Sequence, residues 1–403
     1  MCLPELSILR RRELSIPSSL KRVTLFTGPR RIHIGLNSLK VLGSEIKRLN
    51  SQRALIVTDP NMERLGYVDE VERQLHEIRT YVFNEIKGEP SINELERLAV
   101  RVREGKYDLI IGLGGGSVMD SAKIASISAT NKGSIEDYIG VDKVSNRGLL
   151  LICIPTTSGT GSEVTRFAVI KYEKTKKAIS SDLIIPDIAI VDPTLTISLP
   201  AKTTAYTGLD ALSHAVEAMI STWATPFTDT LALGAIRAIF RYLKRAYDNG
   251  EDLEARYYMS MAATLAGLSF NDPKVLLAHS IGQTIGPVYN LPHGLSVAFA
   301  LPYILDFYLS SSADKIALIS EAAGIYDGER TDKENAQRMI RWLLKFYREF
   351  DIPLSLREFG ASLNDIDKLA EYTINFQPRS NSPINLTKER ILELYKKMWR
   401  GMK

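Results

Sequence analysis

Cysteine is nearly absent from this sequence: 403 residues hold two, Cys2 and Cys153. Two thiols cannot build a disulfide framework or a thiolate metal site, so cysteine chemistry is excluded as the centre of the function. Histidine is scarce as well, with five in the chain, so any that gather in one region carry weight. No stretch approaches the roughly 18 consecutive apolar residues that a spanning helix needs, which sets a membrane aside. An excess of one charge is missing too: 51 basic against 47 acidic side chains leave a net +4. Nucleic-acid binding calls for basic residues crowded on one face, whereas the short clusters Arg10–Arg12 and Lys174–Lys177 read as solvated surface. Arg10–Arg12 precede no apolar run, so no secretory signal is read and a cytoplasmic location is the expectation.

What is present is the balance of a soluble globular protein, 45% apolar and 24% charged, at a length that suggests two domains. Three short apolar runs, Ala54–Thr58, Tyr107–Leu113 and Leu149–Ile154, each end in small polar or turn-forming residues. Between the first two, Leu95, Leu98, Ala99 and Val102 recur at helical spacing over Ile92–Glu104. Strands separated by such helices predict a mostly parallel sheet, with ligands at the carboxyl ends of its strands. After Pro200 the pattern turns helical: Thr204–Ile220, Pro226–Tyr247, Leu253–Leu268, Val275–Gly286, Ser312–Ala323, Asp332–Phe350, Asp365–Asn375 and Thr387–Trp399. The expected organisation is an extension over 1–22, an α/β domain over 23–197 and an all-helical domain over 198–403.

Two strand ends carry ligand-binding signals. In Gly112-Leu-Gly-Gly-Gly-Ser-Val-Met-Asp120, consecutive glycines let the backbone approach a phosphate, and the helical run that follows turns free amides toward it. Ser117 replaces the last glycine of the dinucleotide fingerprint, so a tight turn without a ligand stays open as the alternative. Pro155-Thr-Thr-Ser-Gly-Thr-Gly-Ser-Glu163 concentrates hydroxyls after the next strand, where they suit phosphate, ribose or a base edge, or an ordinary turn. Asp59 ends the first strand. It suits ribose hydroxyls and would repel a 2′-phosphate, favouring NAD over NADP, or it simply opens an Asp-Pro turn.

The sharpest signal lies in the helical half. Asp210 and His214 stand four apart on one helix face, and His279 and His293 follow in apolar or glycine-rich sequence. One carboxylate and three imidazoles form a set suited to a divalent metal such as Fe(II) or Zn(II). Each histidine alone reads better as a buried core residue; all of them together do not.

Taken together, these motifs resemble the iron-containing (group III) alcohol dehydrogenase family over about Val23 to Trp399. The resemblance implies an N-terminal α/β nucleotide domain and a C-terminal helical metal domain. It places metal ligands at Asp210, His214, His279 and His293. It assigns the dinucleotide pyrophosphate to Gly114, Gly115, Gly116 and Ser117, with Asp120 in the same motif, and the adenosine side to Thr156, Thr157 and Thr160, with Thr165 nearby. A family lysine falls at Lys177, or at Lys176. Gln283 stands where many members carry a second histidine, four residues after His279, credited with proton transfer or cofactor contact. The implied activity is reversible, NAD-linked oxidation of an alcohol or diol to an aldehyde or ketone in a homodimer or higher homo-oligomer. Glycerol or glycerol-phosphate dehydrogenases share the architecture and form the alternative. A dehydroquinate-synthase-like lyase lacks its basic residues here, since Ala262–Pro302 holds only Lys274 besides histidines. A nucleotide-binding protein without turnover rests on Gln283 alone. Pocket shape is expected to depend on Phe167, Phe270 and Tyr289.

Overall fold

The structure is a computed structural model that describes residues 23–172, 175–376 and 380–402. The extension expected over 1–22, with Cys2 and Arg10–Arg12, lies outside the described residues, as does Lys174. In chain order the strands are β1 (Arg31–Ile34), β2 (Arg53–Val57), β3 (Arg79–Phe83), β4 (Leu109–Gly114), β5 (Gly140–Val141), β6 (Leu150–Pro155), β7 (Phe167–Tyr172), β8 (Thr175–Ser180) and β9 (Ile188–Val191). Helices α1 (Leu42–Leu49), α2 (Pro60–Arg64), α3 (Tyr67–Gln74), α4 (Ile92–Gly105) and α5 (Gly116–Ser128) connect the first of them.

Six strands form one sheet in the order β1-β9-β6-β4-β2-β3, parallel throughout. Its strands alternate between two cores. Ala54, Ile56, Leu109 and Ile111 pack on one side with Ile46 and Val71. Leu55, Val57 and Ile110 pack on the other with Leu98, Val102 and Met119. Burial on both faces is why these strands read as continuous apolar runs instead of alternating ones. From β2 the chain steps outward to β3, but from β4 it steps the opposite way to β6. The reversal falls between β2 and β4, where open parallel sheets hold their ligands.

A smaller sheet, β5-β8-β7, contains an antiparallel pair, β7 with β8. It was not legible as strand in the sequence, because β8 reads Thr-Lys-Lys-Ala-Ile-Ser and buries its residues unevenly.

The second half is helical: α6 (Ala201–Ile220), α7 (Pro226–Asp248), α8 (Leu253–Phe270), α9 (Leu277–Tyr289), α10 (His293–Phe307), α11 (Ala313–Ala322), α12 (Asp332–Arg348), α13 (Ile366–Phe376) and α14 (Lys388–Arg400). Helical spacing predicted all of these except α10. That helix is apolar all round, buried from Leu295 to Leu305 and interrupted by Pro302, so it offers no polar face to set a period. The halves meet closely where Gly161, at φ +62°, crosses α8. A Cβ there would come within 2.6 Å of Gly267 Cα, so only glycine fits. Beside it Thr264 Oγ1 donates to Glu163 Oε1 (2.8 Å), and the Ser158 and Ser260 hydroxyls lie 3.0 Å apart.

Candidate functional site

A cleft of about 820 Å³ opens where the sheet's ligand edge faces α6, α9 and α10. Gly115, Gly116 and Ser117 form part of its wall. Gly115 is the N-cap of α5 in extended backbone, with no side chain capping the helix. The helix's own hydrogen bonds begin with Val118 N and Met119 N, both donating to Gly115 O (3.1 Å). The amides ahead of them face the end at which a helix favours an anion. Gly116 is required by packing: a Cβ would stand 2.7 Å from Thr160 Cγ2.

The second loop is tied to the first from inside. Lys123, fully buried, donates from Nζ to Ser162 Oγ (2.7 Å), Thr165 Oγ1 (3.1 Å) and the Phe167 carbonyl (2.6 Å). Ser162 Oγ donates in turn to Asp120 Oδ1 (2.5 Å), while Val169 N donates to Asp120 Oδ2 (2.8 Å). Asp120 therefore borders the cleft with both oxygens already engaged, and acts as a clamp between the loops. Burial pushes the Asp120 carboxyl up and the Lys123 ammonium down, each against the charge of the other. Thr157, Thr160 and Thr165 line the cleft. Gly114 and Thr156 do not. They lie behind it, with Thr156 N donating to Gly114 O (3.0 Å).

Asp59 opens the Asp-Pro turn and also borders the cleft. Its Oδ1 accepts from Asn61 N (2.7 Å) as the N-cap of α2, and the residue borders the cleft just beyond β2.

At the opposite end of the cleft, α6 presents Asp210 and His214, α9 presents His279, and α10 begins with His293. Asp210 Oδ1 lies 3.6 Å from His279 Nε2 and 3.9 Å from His293 Nε2. These distances exceed a hydrogen bond but approach the roughly 3.4 Å between neighbouring ligands, each about 2.1 Å from a tetrahedral ion. One ligand atom from each of the three residues falls within 4.8 Å of the other two. His214 borders the same cleft, but its ring is stacked on His279 (4.4 Å between centroids) and on Phe270 (4.3 Å). Asp210 Oδ1, His279 Nε2, His214 Nδ1 and His293 Nδ1 are buried and have no hydrogen-bond partner. Such a concentration of unpartnered buried polar atoms is costly, and a cation between Asp210 and His279 would satisfy the two that face each other. The residues fit a divalent metal.

The electrostatics agree. Burial raises the Asp210 carboxyl, but the surrounding His214, His293 and His279 overcome it and hold it well below the usual carboxylate range. Burial lowers His214 to about 4 and also depresses His293, helped there by the Lys176 charge. His279 moves the other way: burial lowers it, yet Asp210 and Glu217 lift it to about 9, a place that wants positive charge. Glu217 was missed in the sequence. It is fully buried one turn beyond His214, and its Oε2 accepts from His279 Nδ1 (2.6 Å). The available signal was an acid at i, i+4, i+7 with Asp210 and His214, on a helix otherwise apolar in that stretch.

Both candidate lysines border the cleft, but β8 buries Lys176 and leaves Lys177 exposed. Lys176 is the one whose charge reaches His293, and its Nζ is paired with Glu89. Gln283 also borders the cleft, with a buried, unpartnered Oε1. Phe167 and Phe270 stack at 5.8 Å and continue the His214–His279 stack as one apolar wall. Tyr289 belongs elsewhere; its hydroxyl points to Asp365 (3.5 Å).

Residues 29–193 match the family model described as iron-containing alcohol dehydrogenase, and residues 204–399 its C-terminal counterpart. A long-chain-alcohol dehydrogenase of Geobacillus thermodenitrificans is 38% identical over 92% of this chain and 95% of its own. An NAD-dependent methanol dehydrogenase of Bacillus methanolicus is 35% identical over 90% and 96%. The structure of an alcohol dehydrogenase from Oenococcus oeni superposes with a TM-score of 0.90 at 30% identity, covering 94% of this chain and 100% of that one. With both halves matched and the cleft assembled between them, the chain belongs to the iron-containing alcohol dehydrogenase family.

Proposed function

We propose that the cleft oxidises an alcohol or diol to the carbonyl compound, reversibly, with NAD as hydride acceptor. Residues 23–197 serve as the nucleotide domain and 198–403 as the metal domain. The observation that carries the reading is the convergence of Asp210, His279 and His293, with Asp210 Oδ1 and His279 Nε2 buried and unpartnered, in the cleft that the glycine loop also lines. His214, on the same wall, completes the set as fourth ligand. Fe(II) and Zn(II) both suit one carboxylate and three imidazoles, and the family's name favours iron. When bound, such an ion supplies Lewis acidity toward the substrate oxygen.

The protein's own residues orient and enclose. Asp59 accepts from the ribose hydroxyls, and the amides at Gly115–Ser117 face the pyrophosphate. Thr157, Thr160 and Thr165 line the adenosine side. Phe167 and Phe270 would shield the reacting end of the cleft from water, and a bound nicotinamide would supply the hydride chemistry. We propose in addition that the protein is a homodimer or higher homo-oligomer in the cytoplasm; among the described residues no helix is long and apolar enough to cross a membrane. The functional test is NADH formation followed with short alcohols and diols on metal-reconstituted enzyme. No turnover with any of them, at one bound metal per chain, would overturn the reading.

Two further outcomes follow from single positions. A 2′-phosphate would meet the Asp59 carboxylate, so NAD should be preferred, and Asp59→Gly should shift the NAD/NADP ratio of kcat/KM at least about tenfold toward NADP, about 1.4 kcal/mol. A wild-type enzyme that prefers NADPH would remove Asp59 from this role. Gln283 cannot titrate and can only hold water or substrate by hydrogen bonds. Alcohol oxidation by the wild type should therefore show no limb from this position. Gln283→His should add one in the neutral range, since an unperturbed imidazole titrates near ~6.5. Superimposable pH–rate profiles of the two proteins would exclude position 283 from proton transfer.

A further inference from the structure

We infer that Glu217 is a positioning residue for the cation site, fixing the ring of His279 so that its Nε2 is turned toward Asp210. The inference rests on the metal reading above. Its ground is one fully buried carboxylate with both oxygens committed to the same short stretch of a neighbouring helix. Glu217 Oε2 accepts from His279 Nδ1 at 2.6 Å, and Oε1 accepts from Ala278 N at 2.5 Å. Among the described residues its ion-pair partner is His279, with no lysine or arginine beside it.

The backbone bond answers a local deficiency. Helix α9 begins at Leu277, after Leu276, and no side chain of its own caps it. Ala278 N therefore belongs to the first turn, where amides have no intrahelical acceptor. A carboxylate delivered from α6 does the work of a cap and places negative charge at the positive end of the helix. The same carboxylate then holds the imidazole one residue further on. Donation from Nδ1 leaves the lone pair on Nε2, the atom 3.6 Å from Asp210 Oδ1 that has no hydrogen-bond partner.

One face of α6 thus does three things at i, i+4 and i+7: Asp210 and His214 present ligand atoms, and Glu217 steers a third ligand on another helix. Outer carboxylates of this kind orient a ligating histidine and raise its basicity, and their loss typically costs about 10- to 100-fold in metal affinity. Glutamine at 217 keeps the shape, but its NH2 group can meet His279 Nδ1 only as a donor. That moves the imidazole proton to Nε2 and takes away the lone pair meant for the cation. The opposite amide orientation sets NH2 against Ala278 N–H.

The test uses the full chain, stripped of metal and titrated with Zn(II) and Co(II) against a competing chelator. Glu217→Gln should bind both ions about 10- to 100-fold more weakly than wild type and change the Co(II) ligand-field spectrum, while NADH binding stays the same. Unchanged affinity and spectrum, with only a lower melting temperature of the metal-free protein, would make Glu217 structural and overturn the inference. A wild type that takes up no metal would instead overturn the metal reading itself. If Glu217→Gln does not fold, the wild type still decides. In 15N-histidine-labelled, Zn-loaded protein, His279 should show a protonated Nδ1 and a metallated Nε2, and a metallated Nδ1 would exclude the role.

Discussion

Asp210→Asn should give a folded protein that binds NADH normally, retains almost no metal and turns over at less than about one-thousandth of the wild-type rate. Asp210 contributes the one carboxylate in the converging group, at 3.6 Å and 3.9 Å from the facing histidine nitrogens. Without it a dication would meet neutral imidazoles only, with no anion to offset its charge in a buried place. The Lewis acid is worth several kcal/mol to a reaction that builds charge on oxygen, and about 4 kcal/mol is roughly a factor of 10³. The wild type should hold about one divalent ion per chain, as a single four-ligand site requires. His214→Ala should produce the same double loss, which tests whether the stacked ring does serve as fourth ligand. NADH affinity should stay within about twofold in both variants, because Asp59, the glycine loop and the threonines come from the other half of the chain and distant sites act independently. Metal analysis, NADH fluorescence and initial rates on the same preparations decide the matter. Full activity in metal-free Asp210→Asn would refute the metal mechanism.

The parts of this site that could be read from the sequence were those whose signal is local. β2, β4 and β6 are buried on both faces, so each is a continuous apolar run, and each is followed at once by a loop that borders the cleft. Asp210 and His214 share a helix turn, so their spacing alone put them on one face. What escaped notice depends on contacts across the fold. Glu217 meets His279 across 62 positions, and an acid on a helix looks like solvated surface until its burial is known. Asp120 follows the glycines in sequence, but its bonds to Ser162 and Val169 of later segments could not be read there. The choice between Lys176 and Lys177 depends on the phase of β8, and one residue of phase moves a side chain to the other face. α10 carries His293 at its first position, but its uniformly apolar sequence hid the helix.

The second large effect is expected at the glycine loop, where neighbouring glycines should separate ligand binding from folding. A Cβ on Gly115 would lie 3.5 Å from Thr157 Cγ2, an ordinary contact, so the folded protein has room for it. Gly115 is also the N-cap of α5, where alanine in place of glycine is a modest loss. Gly115→Ala should therefore cost about 0.5–1 kcal/mol of stability, the difference between glycine and alanine at an N-cap. The added methyl nevertheless sits on the cleft wall that Gly115 shares with Gly116 and Ser117, where the proposed pyrophosphate would lie. A misplacement of about 1 Å can cost on the order of 100-fold in rate, so the efficiency of NAD use should fall by that scale, with NADH affinity falling as the methyl competes for the cofactor's place. Gly114 is different. Its φ of +156° and a Cβ contact of 2.8 Å with Val118 Cγ2 mean that a side chain must displace the strand end or the helix start. Gly114→Ala should lose affinity together with about 1–3 kcal/mol of stability, as forced overpacking does. Paired thermal melts and NADH titrations distinguish the two. A Gly115→Ala enzyme that binds NADH as tightly as wild type would show that the pyrophosphate does not lie on this loop.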